Sequence, residues 1–288
     1  MSLPRGTTEL IAIAYSEDLG EIGDITTAAV INPHHQSSAD LVSRQAGCVA
    51  GLLVVEACFL HIDTSITMDR RRVDGDAVES GSVLATVSGS TASILTAERV
   101  ALNLLGRLSG IATATRAYVD AVSGTGARIS DTRKTTPGMR ALEKYAVAAG
   151  GGRNHRFGLY DAVLIKDNHI AAAGSIAEAV RAARASIGRS VTVQVEVDTI
   201  DQLAAVLATD ADAVLLDNMG IDDLVASVEL VGGRMLTEAS GGVTLESVRS
   251  IAETGVDVIS VGWLTHSAPA LDVGLDLWPT GDRSPQFE

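Results

Sequence analysis

The sequence is poor in aromatic residues, cysteine and lysine. Aromatic side chains make up 3% of the 288 residues, and there are only two cysteines and three lysines. An apolar content of 46% with so few aromatics indicates a core of Ala, Val, Leu and Ile, which is typical of parallel strands covered by helices. Cys48 and Cys58 form neither a CxxC pair nor a metal-ligand pattern, so we interpret them as reduced structural thiols.

Long apolar runs and basic stripes are also missing. No run approaches the ~18 residues of a membrane helix, and no signal segment precedes a cleavage site, which predicts a soluble, cytoplasmic protein without a membrane partner. A net charge of −14 argues against a nucleic acid partner, because an acidic surface repels a phosphate backbone. The stretch at 74–87 resembles a biotinyl or lipoyl carrier turn, but no lysine precedes Lys134, so we interpret it as a hairpin.

The first hundred residues predict a small α+β domain. Helical apolar spacing occurs at 8–19 and near 52–60, and short strand-like runs lie at 39–43, 66–69 and 83–87. A long amphipathic helix is predicted at 92–108, and it carries Glu98 and Arg99. From the sequence pattern alone, the main alternative to a functional role for Glu98 and Arg99 is a solvated ion pair on a polar helix face.

The rest of the chain alternates strands and helices. Apolar strands are predicted at 127–130, 162–165, 191–197, 213–216, 234–237 and 256–261, and helices at 200–207, 222–231 and 245–254 among others. Either an open sheet or a (β/α) barrel would give this alternation. Polar or charged residues end nearly every predicted strand, as at the mouth of a barrel. No predicted strand is followed by GxGxxG, the dinucleotide-binding motif of open α/β sheets. We therefore predict an α/β fold with a barrel or near-barrel.

Cations concentrate in one stretch. Between positions 128 and 169, eight Lys or Arg face four acidic residues, a charge of +4 inside an acidic chain. Arginine grips carboxylates and phosphates through paired donors and lysine supplies a point charge, so the mixture suits a compact ligand bearing both groups. The candidate residues are Arg133, Lys134, His155, Arg156, Lys166 and His169. The alternative is a set of strand-end salt bridges with Asp131, Asp161 and Asp167.

Two further patterns indicate a metal and a phosphate. Glu196 and Asp217 end successive strands and, facing the cations, suit a Mg²⁺ shared with a diphosphate. The less favoured alternative is that they only pair with Lys134 and Lys166. Glycines at 241–242 and 262 follow the last two strands, where barrels commonly bind phosphate through backbone N–H groups. Glycine after a strand also serves as an ordinary turn.

A series of segments along the sequence resembles the motifs of one known protein family. The segments EDLGEIGDITT, TAERVALNLLGRLSGIAT, DTRKTTPGMRALEKYAV, GGGRNHRFGLYDAVLIKDNH, VEVDTIDQL, VLLDNM, EASGGV and VISVGWLTHSAPALDVGLDL occur in this order between about positions 17 and 277. They resemble the quinolinate phosphoribosyltransferase family, the type II phosphoribosyltransferases. The resemblance implies transfer of a phosphoribosyl group from phosphoribosyl pyrophosphate to quinolinate with decarboxylation, giving nicotinate mononucleotide for NAD biosynthesis.

The resemblance also implies an architecture. It comprises an N-terminal α+β open-faced sandwich at 1–110, an incomplete (β/α) barrel at 111–266, and a C-terminal tail at 267–288 that packs back on the first domain. The family assembles at least as a homodimer in which each active site is completed by the partner. Carried over to this sequence, Arg99 would reach the neighbouring subunit's site.

Site roles follow from the same resemblance. Arg133, His155 and Arg156, with Arg99, would bind the two carboxylates of quinolinate. The residues around phosphoribosyl pyrophosphate would be Thr132, Lys134, Lys166, His169, Ser240, Gly241, Gly242, Val261, Gly262 and Trp263. Catalytic roles would fall to Lys134, Lys166, Glu196 and Asp217, of which Glu196 and Asp217 would hold the Mg²⁺ cofactor partly through water or substrate.

Three alternative functions stay open at this point. A related phosphoribosyltransferase acting on nicotinate or a pyrimidine acid would keep the phosphate and metal residues but need fewer cations for its acid. A Schiff-base aldolase would use Lys166 at a barrel strand end, although Glu196 and Asp217 nearby oppose the loss of its proton. A catalytically silent barrel would bind phosphoribosyl pyrophosphate without turnover.

Overall fold

A computed structural model describes residues 3–187 and 189–279. In chain order the helices are α1 (Thr7–Leu19), α2 (Ile25–Val30), α3 (Leu52–Ile62), α4 (Thr91–Ala121), α5 (Arg140–Ala149), α6 (Asp167–Ala173), α7 (Ile176–Ile187), α8 (Ile200–Leu207), α9 (Ile221–Val231), α10 (Val248–Glu253) and α11 (Trp263–His266). The strands are β1 (Gln36–Ser43), β2 (Gly47–Cys48), β3 (Thr67–Arg70), β4 (Ala77–Val78), β5 (Val83–Ser90), β6 (Arg128–Ser130), β7 (Val163–Ile165), β8 (Val193–Val197), β9 (Ala213–Asp217), β10 (Leu236–Ser240), β11 (Val258–Ser260) and β12 (Val273–Pro279).

The chain folds into two compact units. Within the described residues, the first unit contains 3–116, 135–151 and 265–279, and the second contains 117–134 and 152–264. The predicted limits at 1–110, 111–266 and 267–288 assign 111–116 and 135–151 to the barrel instead. The difference has a physical cause: α4 continues past position 110, and Leu142 and Val147 of α5 belong to the same buried cluster as Leu105 and Leu108 of α4. Residues 280–288 of the predicted tail lie outside the described part.

The first unit is built on a four-stranded antiparallel sheet in the order β12-β1-β5-β3. The C-terminal strand β12 pairs with β1, with Leu41 opposite Leu275. Apolar residues of β1 and β5, such as Leu41 and Leu84, share a buried cluster with helical residues such as Phe59. The sandwich-like α+β character predicted for the N-terminal part is confirmed. The predicted hairpin at 74–87 is wrong, because β4 pairs with β2 and β5 pairs with β1 and β3.

Helix α4 is longer than its predicted span of 92–108. It continues through Gly106 and Gly110 to Ala121, and both glycines are needed for close packing. A Cβ atom on Gly110 would clash with the carbonyl oxygen of Pro269, and one on Gly106 would lie 2.9 Å from that of Leu271. The chain leading into β12 therefore runs directly against the helix backbone.

The second unit contains six parallel strands in the order β6-β11-β10-β9-β8-β7. On the far side of β6, Ser130 forms an isolated parallel bridge with Arg153, whose N–H donates to the carbonyl of Ile129 over 2.8 Å. The six strands and this bridge form the incomplete (β/α) barrel that the sequence predicts. Helices follow the strands as expected; α8, for example, spans the predicted 200–207.

Two smaller predictions concern thiols and membranes. Cys48 and Cys58 are buried and form no disulfide with one another, as predicted, and burial raises the pKa of the Cys58 thiol to about 12. Across 3–187 and 189–279, no helix combines the length and the apolar character that a membrane crossing demands.

Candidate active site

The predicted site residues of the second unit lie at one edge of its sheet. Lys166 directly follows β7, Glu196 is the penultimate residue of β8, Asp217 ends β9, Ser240 ends β10, and Val261 follows β11. Because the strands are parallel, their carboxyl ends meet at the same edge, which is where barrel enzymes carry their chemistry. We call this edge the rim.

On one side of the rim, a lysine and a carboxylate form an ion pair. The Nζ atom of Lys166 donates to Oε2 of Glu196, and the two side chains remain 44% and 19% exposed. The backbone N–H of Lys166 donates to Nδ1 of His169 over 3.0 Å, which fixes the start of α6. Lys166 and His169 are thereby held side by side, and Lys166 pairs with Glu196 as one of the sequence alternatives predicted.

Asp217 is oriented by its neighbour Asn218. Asn218 is the non-glycine residue with a left-handed backbone in the described chain, at a φ of 55°. Its amide donates to Oδ2 of Asp217 over 2.7 Å, and its N–H donates to the carbonyl of Ser240 over 2.8 Å. A side chain at Gly241, which itself has a φ of +95°, would collide with Asn218. The ends of β9 and β10 are therefore locked together, and Gly241 is required there.

The residues after β6 are tied to those around position 155. The N–H of Asp131 donates to the carbonyl of Arg153 over 3.1 Å, and the N–H of His155 donates to Oδ1 of the fully buried Asp131 over 2.8 Å. Thr132 accepts the N–H of Lys134 over 3.0 Å, which shapes the turn that follows. Two segments about twenty residues apart in sequence thus run together at the rim.

This pairing brings Arg133 and Arg156 close enough to interact. Burial lowers the pKa of Arg156, the charge of Arg133 lowers it further, and Asp161 opposes both. Arg156 also donates from Nη1 to the carbonyl of Ala162 over 3.0 Å. Asp161 accepts the N–H groups of Phe157 and Gly158, so it also shapes the local loop. Two arginines that repel one another in a partly buried place favour an anionic ligand between them.

The cationic stretch of the sequence is divided between the two units. Lys144 of α5 is buried, and α5 belongs to the first unit. Arg99 also lies in the first unit, on α4, with its side chain 64% exposed and 3.8 Å from Glu98. Lys134, an exposed residue, lies in the second unit.

The remaining predicted phosphate residues lie at the last two strands. Gly241 and Gly242 both have left-handed backbones, and the N–H of Val261 donates to the carbonyl of Ser130 over 2.9 Å. Gly262 follows, and the ring of Trp263 lies 6.4 Å from that of Tyr118, centroid to centroid. These residues lie at the ends of β10 and β11.

Glu238 and Gln194 are functional candidates to which the sequence assigned no role. Glu238 is 3% exposed and Gln194 is 7% exposed, and the amide of Gln194 donates to Oε2 of Glu238 over 2.8 Å. Side chains alternate along a strand, so each residue faces the same side as the rim residue two positions later, Ser240 and Glu196 respectively. The alternation of side chains along a strand was therefore the sequence signal that could have identified Glu238 and Gln194.

The carboxylates at the rim suit a metal shared with a substrate. Among residues 3–187 and 189–279, no group of three or more His, Cys, Asp or Glu side chains has the geometry to hold a metal ion. Mg²⁺ is commonly bound by one or two carboxylates together with substrate phosphates. Glu196 and Asp217, at the ends of adjacent strands, supply oxygen ligands that fit this shared mode.

Fold and rim together define an incomplete-barrel enzyme for anionic substrates, and comparison with known proteins gives the family. The model of the N-terminal domain of quinolinate phosphoribosyl transferase matches residues 24–109, and that of its C-terminal domain matches 111–276. The chain belongs to the quinolinate phosphoribosyltransferase family, and it is a phosphoribosyltransferase.

Curated relatives and solved structures agree with this assignment. The chain is 45% identical over 263 residues to a probable nicotinate-nucleotide pyrophosphorylase (carboxylating) of Bacillus subtilis, covering 91% of this chain and 90% of the relative. It is 46% identical over 277 residues to that of Mycobacterium leprae, covering 93% and 96%. The crystal structure of NadC from Streptococcus pyogenes superposes with a TM-score of 0.93 at 39% identity, covering 97% of this chain and 99% of that one.

Proposed function

We propose that the rim of the second unit joins quinolinate to phosphoribosyl pyrophosphate, releasing pyrophosphate and CO₂ and giving nicotinate mononucleotide. The observation that carries this proposal is that two groups of charged or anion-accepting residues lie at one sheet edge. One is the cation clamp of Arg133, His155 and Arg156. The other is the ring formed by Lys166, Glu196, Asp217 and the glycine loops. The reaction is that of the family, and the proposal assigns each step of substrate binding to one of these residues.

The cation clamp suits quinolinate because the ligand carries two adjacent carboxylates. Two guanidinium groups bind two carboxylates through paired N–H donors, and the imidazole of His155 adds a third donor. Burial, and then the repulsion by Arg133, lower the pKa of Arg156 in the protein alone, and a dianion bound between the two arginines relieves that repulsion. A monocarboxylate such as nicotinate would neutralise only part of this charge.

The ring of rim residues suits phosphoribosyl pyrophosphate. Lys134 and Lys166 bring positive charge to the leaving pyrophosphate, and the backbone around Gly241, Gly242 and Gly262 lets N–H groups approach the 5′-phosphate. In this proposal Glu196 and Asp217 would hold Mg²⁺ together with the diphosphate, and the ion would supply positive charge for the departing pyrophosphate.

The reaction then needs positioning more than acid–base chemistry. The clamp orients the pyridine ring so that its nitrogen lone pair attacks the anomeric carbon of the ribose as the bond to pyrophosphate breaks. The ring nitrogen becomes cationic, and the electron pair left by loss of the neighbouring carboxylate as CO₂ is stabilised by that charge until a proton replaces the carboxylate. The protein's task is to hold both ligands in register and to exclude water.

The pairing of Lys166 with Glu196 argues against the aldolase alternative. A lysine that forms a Schiff base must present its Nζ atom to a carbonyl carbon, whereas here the Nζ atom of Lys166 is engaged in an ion pair with Glu196. Borohydride trapping with carbonyl substrates is therefore expected to yield no adduct at Lys166.

The proposal is tested by incubating the purified protein with quinolinate, phosphoribosyl pyrophosphate and Mg²⁺, with nicotinate as acceptor in a parallel sample. We expect nicotinate mononucleotide, pyrophosphate and CO₂ in equal amounts from quinolinate, and no product from nicotinate. Removing Mg²⁺ with EDTA should reduce turnover by at least about 100-fold, with recovery on adding Mg²⁺ back. Turnover of nicotinate alone would contradict the two-carboxylate assignment, and no turnover of either acid would contradict the proposed reaction.

We further propose a cytoplasmic homodimer in which Arg99 completes the neighbouring subunit's site. Its exposed position on α4 in the first unit is compatible with this role. At a quinolinate concentration near the wild-type KM, Arg99→Ala and Arg156→Ala should each be nearly inactive, but in a mixed dimer one of the two sites regains both arginines. After dissociation and random reassociation, the mixture should recover about one quarter of wild-type activity. No recovery, with mixed dimers demonstrated by mass spectrometry, would contradict the shared site.

A further inference from the structure

A buried carboxylate lies inside the barrel, one layer below the rim. Glu238 is 3% exposed and sits in β10, two residues before Ser240, so both side chains face the barrel interior. Burying a carboxylate costs several kcal/mol unless it is paired and hydrogen-bonded, and replacing a buried ion pair with apolar residues often does not reduce stability. Fold stability alone therefore gives little reason for a glutamate at this position.

The carboxylate of Glu238 is held from two sides. The amide of Gln194, from β8, donates to Oε2 over 2.8 Å, and Nε2 of His155 lies 3.3 Å from the same oxygen. In the sheet, β9 separates β8 from β10, so the Gln194 contact spans a strand inside the barrel. Gln194 thus fixes the direction of the Glu238 carboxylate, and Glu238 in turn meets the ring of His155.

The charge of Glu238 is maintained by these partners. Burial raises its pKa, but the hydrogen bond and charge of His155 and the contacts with Gln194 and Ser260 outweigh burial, so the pKa lies below its ordinary value. The group is an anion at neutral pH. Arg133 and Arg156 repel one another, and the proposed function assigns His155 to the same clamp. Glu238 is thus the second buried carboxylate at His155, beside Asp131, which accepts the N–H of that residue.

We infer that Glu238 is a positioning residue for the acid substrate: it orients the imidazole of His155 within the cation clamp, and Gln194 orients Glu238. This inference rests on the proposed function, because it assumes that His155 binds a carboxylate of quinolinate. Glu238 itself does not touch the ligand, since a carboxylate would repel a dianion. Its effect is transmitted through His155 alone.

The main test is Glu238→Gln, which keeps the size of the side chain and removes its charge. The KM for quinolinate should rise by about tenfold, the size expected for losing one hydrogen bond to a charged group, while kcat and the KM for phosphoribosyl pyrophosphate stay within about twofold. Glu253→Gln, which removes an exposed partner of Arg249 on α10, is the matched control and should leave all three constants unchanged.

A double-mutant cycle separates positioning from a structural role. In a His155→Asn background, Glu238→Gln should have almost no further effect on the KM for quinolinate, because the residue through which it acts is gone. The side-chain ¹⁵N resonances of His155, recorded without substrate, should also shift in Glu238→Gln. An unchanged KM in the single variant, or an equal rise in both backgrounds, would overturn the inference.

Two further results distinguish a failure of this inference from a failure of the proposed function or of folding. If wild-type protein does not turn over quinolinate, the proposed function is wrong; if it does and Glu238→Gln behaves like wild type, only the role of Glu238 is wrong. If Glu238→Gln does not fold, Gln194→Met removes one donor to the carboxylate without changing charge. It should raise the KM for quinolinate by about threefold, and an unchanged KM there would overturn the inference as well.

Discussion

Replacing Arg156 by alanine is expected to raise the KM for quinolinate by about 100-fold, which corresponds to about 2.7 kcal/mol of lost binding free energy. Arg156 sits in a partly buried place beside Arg133, so its contact with a carboxylate is poorly screened by water. Stability should hardly change, because removing one of two mutually repelling guanidinium groups offsets the loss of its bond to the carbonyl of Ala162. Steady-state kinetics and thermal unfolding measure the two effects.

Two companion variants sharpen this prediction. Arg156→Lys keeps the charge but loses the forked donor geometry, so its KM should lie between those of wild type and Arg156→Ala. Arg181→Ala removes an exposed arginine of α7 that pairs with Glu178, and it should behave like wild type. A KM for quinolinate within about twofold of wild type in Arg156→Ala would remove Arg156 from the clamp.

Replacing Lys166 by methionine is expected to lower kcat by a factor of about 10² to 10³, the usual cost of losing one group that stabilises charge in a transition state. The lysine pairs with Glu196 at the end of β7, and its side chain is 44% exposed, so the substitution should not unfold the protein. The KM for quinolinate should change little, because the clamp lies on other residues. The effect is measured as the steady-state rate at saturating concentrations of both substrates.

The pattern of effects distinguishes this role from a loss of structure. Lys166→Arg keeps the charge and should recover part of kcat, whereas a structural defect would lower the melting temperature in both variants. If kcat of Lys166→Met stays within about threefold of wild type, the lysine does not act on the leaving group.

The sequence predicts the alternation of strands and helices well, and it fails where strands carry site residues. β10 was predicted at 234–237 but runs from Leu236 to Ser240. Glu238 and Ser240 interrupt the apolar pattern because they face the barrel interior, yet Ser240 still pairs with Asp217 of β9. Helix α4 was predicted to end at 108 but continues to Ala121. Gly106 and Gly110 permit the close approach of the chain near Pro269, a long-range contact that local propensity cannot reveal.

The types of residue at the site were predictable, but their grouping was not. Charged residues at strand ends indicated a rim, because parallel strands end at one edge. The pairing of Ser130 with Arg153, which brings Arg133 next to Arg156, depends on a non-local bridge that no spacing encodes. The left-handed backbone of Asn218 likewise depends on its bond to Ser240 of the next strand.

The most direct test of the proposed site is a crystal structure of the protein with quinolinate bound. We predict that both carboxylates lie within about 3.2 Å of donor atoms of Arg133, His155 and Arg156, with the ring nitrogen facing the end of the strand that carries Asp217. Quinolinate bound elsewhere, or held at the rim through a single carboxylate, would contradict the assignment of the cation clamp.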